Sequence, residues 1–378
     1  MSHEPATLQT WWHEPPPREV RAALDRLVRT TDVAHVAVMP DVHLAEDVCI
    51  GVVLASRSLL FPAAVGGDIG CGMMTIALGV DADVLSTPRV AARVLDGLCR
   101  SVPIMRHARD DAPIMPTILR EGRLGSPLLE SLRRRDAALQ FGTLGRGNHF
   151  IELQADDNGR LWLMVHSGSR GLGQAIRQTH EREASAKGGG LAGIEADAPP
   201  GRAYPADVEW ALQFAHHSRA RMLEVASEVL RREVGADPDG ATTIACHHNF
   251  VRRELHGAAS LWVHRKGANS AAAGEAGVIP GSMGAASYHV EGRGCGRALC
   301  SSAHGAGRAM SRTEARRTIG TARLHEQMRG IWFDHRLAPG LREEAPGAYK
   351  DIGAVMKAQA DLVKITRRVS PVLVYKGA

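Results

Sequence analysis

The 378-residue sequence predicts an α/β protein of the α+β kind: mixed and antiparallel sheets with helices around them, and glycine loops at strand ends gathered into one site. Three observations lead there. Short apolar, β-type runs recur along the chain, and each gives way to a glycine loop carrying a chemically capable residue. Amphipathic helical patterns lie between those runs. Neither the glycine fingerprint of a dinucleotide-binding fold nor a P-loop occurs. With no internal repeat and no linker long enough to separate independent units, residues 1–378 read as a single catalytic domain.

The elements follow in order. Residues 1–17 read as an irregular lead-in ending in Pro15-Pro16-Pro17, and 18–31 as a short amphipathic helix with Val20, Ala23, Leu24, Leu27 and Val28 on one face. Strand-like runs at 36–39, 49–54 and 59–64 precede the glycine-studded loop Val65 to Met73, which holds Asp68 and Cys71 three residues apart. Residues 88–140 carry helical patterns (89–100, 127–139) around a proline-rich loop and read as a helical insertion or substrate-facing cap. A second glycine loop, Gly142 to Asn148, leads through His149 into the run Phe150-Ile151-Glu152. A strand over 161–165 ends at His166, with a helix beyond it to about 187. Residues 188–204 read as a mobile, glycine-rich connection. The longest helical pattern spans 205–234. Strands at 242–246 and 261–264 end in His247-His248-Asn249 and Arg265-Lys266-Gly267. The tail reads as a helix over 348–367 and a strand over 372–375 ending in Lys376.

Composition bounds the function. Hydrophobic residues make up 44%, charged residues 23% and aromatics only 4%, with 40 glycines, so close backbone approaches are favoured over aromatic stacking platforms. The net charge of +5 and pI near 9.0 are compatible with a polyanionic partner without requiring one. Six cysteines show no paired framework, the first residues lack the apolar core of a signal peptide, and no apolar run approaches the ~18 residues of a membrane span. The expectation is a cytoplasmic protein with thiols free for metal binding and no membrane association.

One carboxylate (Asp68), one thiol (Cys71) and histidines at strand ends (His149, His166 and the His247-His248 pair, where either ring could be the ligand) form a donor set for a transition metal. Five donors exceed one tetrahedral site, and a bridging thiolate or carboxylate would allow two metals ~4 Å apart, as phosphoryl chemistry uses. A separate stretch, Ser301 to Arg308, places His304 among glycines, with a helical pattern behind it. A histidine there could attack phosphorus while Arg308 grips phosphate oxygens. Asn148, Ser282, Ser287 and backbone N–H groups near Gly281, Gly305 and Gly307 can hydrogen-bond phosphate, ribose or base. Glu152 can accept from a guanine edge, and Lys376 and Tyr349 can complete a base pocket. These residues alone point to a metal-dependent enzyme acting on phosphates.

The blocks Met39 to Leu44, Pro62 to Met73, Gly142 to Phe150, His166 to Gly171, Cys246 to Asn249, Arg265 to Ala268, Ile279 to Gly284, His304 to Arg308, Ala348 to Ile352 and Lys376-Gly377 keep the order of a known family. The chain resembles the RtcB RNA ligases. The resemblance implies an RtcB-like fold and a GTP- and Mn²⁺-dependent ligase. It would join RNA ends bearing a 2′,3′-cyclic phosphate or 3′-phosphate to 5′-hydroxyl ends, in RNA repair or tRNA splicing, with an accessory activator protein in some settings. It implies that His304 takes GMP from GTP; that Asp68, Cys71, His149, His166 and His248 hold two Mn²⁺ with Cys71 shared; and that Asn148, His149, Phe150, Ile151, Glu152, His248, Asn249, Pro280, Gly281, Ser282, Met283, Ser287, His304, Gly305, Ala306, Gly307, Tyr349 and Lys376 form the guanylate pocket. One departure stands out: where the family continues Gly-Lys-Gly after Leu44, this chain reads Ala45-Glu46-Asp47. The competing readings are a metal-dependent 2′,3′-cyclic phosphodiesterase, which needs the metals but not His304, and a non-ligating RNA-end-binding paralogue.

Overall fold

A computed structural model describes residues 6–185 and 190–377. The first half runs β1 (Thr7–Thr10), α1 (Arg18–Val28), β2 (Val33–His43), β3 (Ile50–Ser56), β4 (Leu59–Leu60), β5 (Gly72–Asp81), α2 (Pro88–Ser101), α3 (Thr117–Glu121), α4 (Pro127–Gln140), β6 (Phe150–Asp156), β7 (Arg160–Ser167), α5 (Arg170–Glu183), β8 (Ile194–Glu195) and α6 (Pro199–Val234). The second half runs β9 (Pro238–His247), β10 (Asn249–His256), β11 (Ala259–Lys266), β12 (Ala268–Ser270), β13 (Ala276–Ile279), β14 (Ser287–Gly292), β15 (Ser301–Ala303), α7 (Arg312–Thr318), α8 (Thr321–Gln327), β16 (Trp332–Phe333), α9 (Ala338–Leu341), α10 (Ile352–Ala358) and β17 (Val363–Lys376).

Two large sheets organise these elements. One has five strands in the order β1-β2-β3-β11-β10; the other has eight, in the order β13-β14-β17-β6-β7-β5-β9 with β16 beside β17. Every pair along β14-β17-β6-β7-β5-β9 is antiparallel. Antiparallel pairing puts the start of one strand beside the end of the next. The starts of β5 and β6 therefore share one end of the sheet with the ends of β7, β9 and β17, as the pairs Gly72↔Ser167, Gly72↔His247, Phe150↔His166 and Lys376↔Phe150 record. The sheet thus collects at one end the loops that the sequence marks as chemically capable.

The other face of this sheet is the main core. Ile76, Ile151, Leu163 and Val165 pack on Val94 and Leu98 of α2 and on Val229 and Leu230 of α6. Thr87 and Ser126 cap α2 and α4, and each helix has proline at its first position, where a missing N–H is harmless. Residues 88–140 are worked into the core: Leu119, Leu129 and Ala137 pack with Val208, Ala211 and Phe214 of α6 and Ile176 of α5.

Three expectations change. Residues 7–10 of the lead-in form β1, a parallel edge strand on β2 that is too short to show a pattern. Of the connection expected at 188–204, residues 188 and 189 lie outside the described residues. Further on, β8 pairs with β4, and α6 begins at Pro199 rather than at 205. Pro199 and Pro200 read as breakers, yet in a first helical turn they break nothing. Gly201 reads as flexible, but a Cβ there would sit 1.9 Å from the Glu195 carbonyl oxygen, so glycine is required by packing. The tail helix is short, and 363–376 is one 14-residue strand, β17. Its first half pairs with β14 and its second with β6, with a register shift between Pro371 and Leu373. Lys364, Arg367 and Arg368 conceal its alternation.

Gly72 opens β5 between two strands, and a Cβ there would lie 2.0 Å from the Cys246 carbonyl oxygen. Gly72→Ala should lower the unfolding free energy by about 3 kcal/mol, the upper part of the usual overpacking range. A urea midpoint indistinguishable from wild type would contradict this backbone contact.

Candidate active site

The end of the eight-stranded sheet faces the five-stranded sheet across a cavity of ≈ 320 Å³. Its floor carries Asp68, Cys71, His166 and His248. The Cys71 Sγ lies 3.1 Å from His166 Nε2 and 3.4 Å from His149 Nε2, and His149 Nε2 lies 2.9 Å from Asp68 Oδ2. Donor atoms converge in two groups that share the sulfur: Cys71, His166 and His248, and Asp68, Cys71 and His149. The outer nitrogens are fixed by the backbone. His149 Nδ1–H donates to the Leu144 carbonyl and His166 Nδ1–H to the Asn148 carbonyl, each at 3.0 Å, which turns both Nε2 lone pairs inward. His248 Nδ1 is buried with no hydrogen-bond partner, an orphan that a ligand would satisfy.

The electrostatics suit a cation. Burial drives His166 and His248 well below the usual histidine value, so both rings are neutral, as ligands must be. Burial works to raise Asp68, but the His149 ring overrides it and holds the carboxyl at about 2. Burial, with Asp68 beside it, pushes the Cys71 thiol up, so a thiolate there needs a positive charge to balance it. The donor set of Asp, Cys and His therefore fits a divalent transition metal.

Behind the floor lies Arg219 of α6, fully buried. Its guanidinium donates to the carbonyls of Gly70 (2.9 Å) and Ser167 (2.7 Å) and lies 3.1 Å from His247 Nδ1. These are the loops of Cys71, His166 and His248. The choice left open at the histidine pair resolves geometrically: His248 faces the cavity, while His247 Nδ1 sits 3.0 Å from the Gly70 carbonyl, outside the cluster.

His304 comes from a separate two-stranded sheet, β12-β15, and reaches across to the five-stranded one. It follows β15, whose pairing with β12 sets its position. Its Nδ1 lies 2.6 Å from Oδ2 of Asp41, a wholly buried carboxylate of β2. With Nδ1–H donated to Asp41, Nε2 keeps its lone pair for the cavity, 4.7 Å separating the His304 and His248 ring centres. A Cβ on Gly307 would meet the Asp41 carbonyl oxygen at 2.1 Å, so glycine there lets this loop close on β2.

The cavity is also lined by Asn148, Phe150, Glu152, Pro280, Gly281, Ser282, Met283, Ser287, Gly305, Ala306, Tyr349 and Lys376, residues that the resemblance assigns to a nucleotide pocket. Asn249 also lines the cavity and holds Asp68 through an Nδ2 donation to its carbonyl. Burial raises the Glu152 carboxyl to about 8. Lys376, lowered by its burial, sits over the Phe150 ring and 3.5 Å from Glu344.

Two expected residues are engaged differently. Ile151 is buried in the main core, because side chains alternate along β6: Phe150 and Glu152 face the cavity and Ile151 faces α2 and α6. Arg308 lines the cavity, but its N–H groups go to the carbonyls of Met310 and Glu343, to Glu344 and to the Tyr349 hydroxyl rather than to an open phosphate site. The helix expected behind it, α7, starts only at Arg312 and is capped by Ser311. Sequence reasoning missed Asp41, Arg219 and Glu344. Glu344 is nearly inaccessible and gathers Arg308, Arg312, Tyr349 and Lys376. Of the three, only Asp41 stood in a conspicuous block, and its partner is 263 residues away.

A buried metal-donor cluster and a carboxylate-backed histidine across one deep cavity define a class of protein built for phosphoryl or nucleotidyl transfer. The sequence model of the family described as tRNA-splicing ligase RtcB matches residues 24–124 and 115–377. The RNA-splicing ligase RtcB of Escherichia coli K12 is 36% identical over 372 residues, covering 91% of this chain and 90% of that protein. The RNA-splicing ligase RtcB of Mycobacterium tuberculosis is 32% identical, covering 90% of this chain and 96% of its own length, and the tRNA-splicing ligase RtcB of Thermococcus kodakarensis is 29% identical over 90% and 87%. The chain belongs to the RtcB family. No helix among the described residues is long and apolar enough to cross a membrane.

Arg219→Met would strip the Gly70 and Ser167 carbonyls of their buried donor. The expected result is a loss of about 3 kcal/mol of unfolding free energy, from unsatisfied buried groups. A change within error would show that the guanidinium does not brace these loops.

Proposed function

We propose that this protein is an RNA ligase that takes GMP from GTP with release of pyrophosphate, passes it to an RNA 3′-phosphate (a 2′,3′-cyclic phosphate being first opened by water), and joins that end to a 5′-hydroxyl as GMP leaves. The observation that carries the reading is the His304–Asp41 pair, with Nε2 free toward the metal-donor cluster. The RNA substrate follows from the names of the relatives and from family membership. The chain acts as one catalytic domain.

The chain's own groups divide the work. Asp41 holds the His304 Nδ1 proton and the ring's orientation, and it would stabilise the positive ring that forms when Nε2 attacks the α-phosphate. Glu152, Lys376, Ser287 and Tyr349 would bind the guanine, with the glycine backbone of 281 and 305–307 beside the phosphates. Asp68, Cys71, His149, His166 and His248 would hold Mn²⁺. The metals, when bound, would supply charge to neutralise phosphate oxygens and convert the Cys71 thiol to a thiolate. Arg308 braces the base pocket through Glu344 in this reading. A phosphodiesterase that only opens cyclic phosphates could use a carboxylate-oriented histidine as a general base, so it is family membership that favours the ligase reading.

Incubation with α-labelled GTP and Mn²⁺ should produce an acid-labile GMP–protein adduct. His304→Ala should abolish it, a loss of at least 10³-fold, since the nucleophile is removed. Absence of any adduct from the metal-loaded wild type would sink the ligase reading; an adduct surviving in His304→Ala would move the nucleophile elsewhere.

A pH dependence follows from Glu152. Its carboxyl is protonated below about 8 in the free pocket, whereas accepting from guanine N1–H and N2–H requires the ionised form. Guanosine binding should therefore release a proton at pH 7 and tighten as pH rises to about 8, by up to tenfold per unit, then level off. Calorimetry in buffers of different ionisation enthalpy reads this directly, and zero proton release would contradict it.

A further inference from the structure

Gln154 is the described residue most tightly coupled to the base pocket without belonging to it. It sits two residues beyond Glu152 on the same face of β6 and is fully buried. Its Nε2 donates to Glu152 Oε1 at 2.6 Å and to Ser287 Oγ at 3.1 Å. Both of an amide's N–H bonds are thereby used, one on each of two pocket residues. Those residues are not on neighbouring strands: β17 lies between β6 and β14. Gln154 spans it opposite Pro371, where the register of β17 shifts and where proline offers no N–H.

The consequence is one of hydrogen-bond polarity. A Glu152 oxygen that already accepts from Gln154 leaves its partner oxygen to accept from a ligand. A Ser287 oxygen that accepts from Gln154 leaves its own O–H to donate. The pocket thus offers an acceptor and a donor side by side. With Glu152 at the N1/N2 side, as in the reading above, and Ser287 at position 6, a guanine edge presents the complement, N1–H and N2–H donors and then the O6 acceptor, whereas adenine presents the reverse order, an N1 acceptor and then an N6–H donor. A buried mismatch of that kind leaves polar groups unpaired, which gives stronger discrimination than shape does.

We propose that Gln154 is a positioning residue that sets the purine specificity of this pocket, fixing Glu152 as acceptor and Ser287 as donor so that guanine nucleotides are chosen over adenine nucleotides. The inference rests on the GTP-dependent reading above and deepens it. The Gln154 Oε1 is buried without a partner, so the amide is held on its nitrogen side alone. Removing those two donations frees both pocket groups to turn.

The test compares covalent labelling by GTP and by ATP, at a series of concentrations with Mn²⁺, for wild type, Gln154→Leu and Gln154→Glu. The wild type should prefer GTP. Gln154→Leu, which cannot donate, should lower the GTP-to-ATP ratio of rate over half-saturating concentration at least tenfold. The change should lie in the half-saturating concentration, with the rate at saturating GTP within twofold of wild type, because His304 and Asp41 are untouched. Gln154→Glu, of nearly the same shape, should show the same loss; it serves as the reporter if the leucine variant does not fold. A wild-type ratio in either folded variant overturns the inference and leaves the ligase reading standing. So does a wild type that labels equally with both nucleotides. A wild type that labels with neither overturns both. A uniform loss of rate with an unchanged ratio assigns Gln154 a merely structural role and rejects the proposal.

Discussion

A single buried guanidinium holds the floor of the cavity together. Burying a charge is expensive unless it is thoroughly hydrogen-bonded. Arg219 meets it in part, through the carbonyls of two loops, at Gly70 and Ser167, that converge on it beside His247, while its Nε has no partner. The loops that carry Cys71, His166 and His248 are thus tied to one point on α6, the longest helix, whose apolar side is committed to two cores. Backbone acceptors suit the task because they add no competing negative charge beside the Cys71 thiol.

The opposite wall is made by different means. His304 is placed by a three-residue strand, and its orientation depends on one hydrogen bond to a carboxylate with no solvent exposure. Asp41 Oδ1 has no partner at all. A carboxylate so poorly satisfied is a strong acceptor for the Nδ1 proton and a ready counter-charge when the ring becomes positive. Lys350 supports this corner from outside, its Nζ donating to the carbonyls of Pro40 (3.1 Å) and Val42 (2.5 Å) on either side of Asp41. The floor and the histidine are thus held by separate interactions on opposite sides of one cavity.

How much of this was legible in the sequence depended on the range of the determining interaction. α1, α2 and α4 could be read because helical period and caps are local signals. The donor set could be read because each member flanks a β-type run, and antiparallel pairing carries strand starts and ends to a common place. β17 could not, since half of its length pairs with one strand and half with another, and a bulge interrupts its alternation. Ile151 was carried into the pocket set by its neighbours, although strand parity sends it the other way. Asp41, Arg219 and Glu344 act through partners remote in sequence. Nothing near them in the chain distinguishes a buried charge with partners from an ordinary surface one.

The acidic loop at Ala45-Glu46-Asp47 gains a different meaning from its contacts. Two acids in place of a basic glycine loop suggest simple repulsion of RNA phosphates. Asp47, however, bonds Arg177 of α5 at 2.8 Å, and Arg177 also bonds Glu181. Lys266, which lines the cavity and is lowered to about 8 by burial, donates to the Glu46 carbonyl at 3.2 Å. The loop therefore withdraws Arg177 from any approaching phosphate and ties Lys266 to its own backbone. Its effect is less to repel than to occupy the cations that a basic loop would have joined.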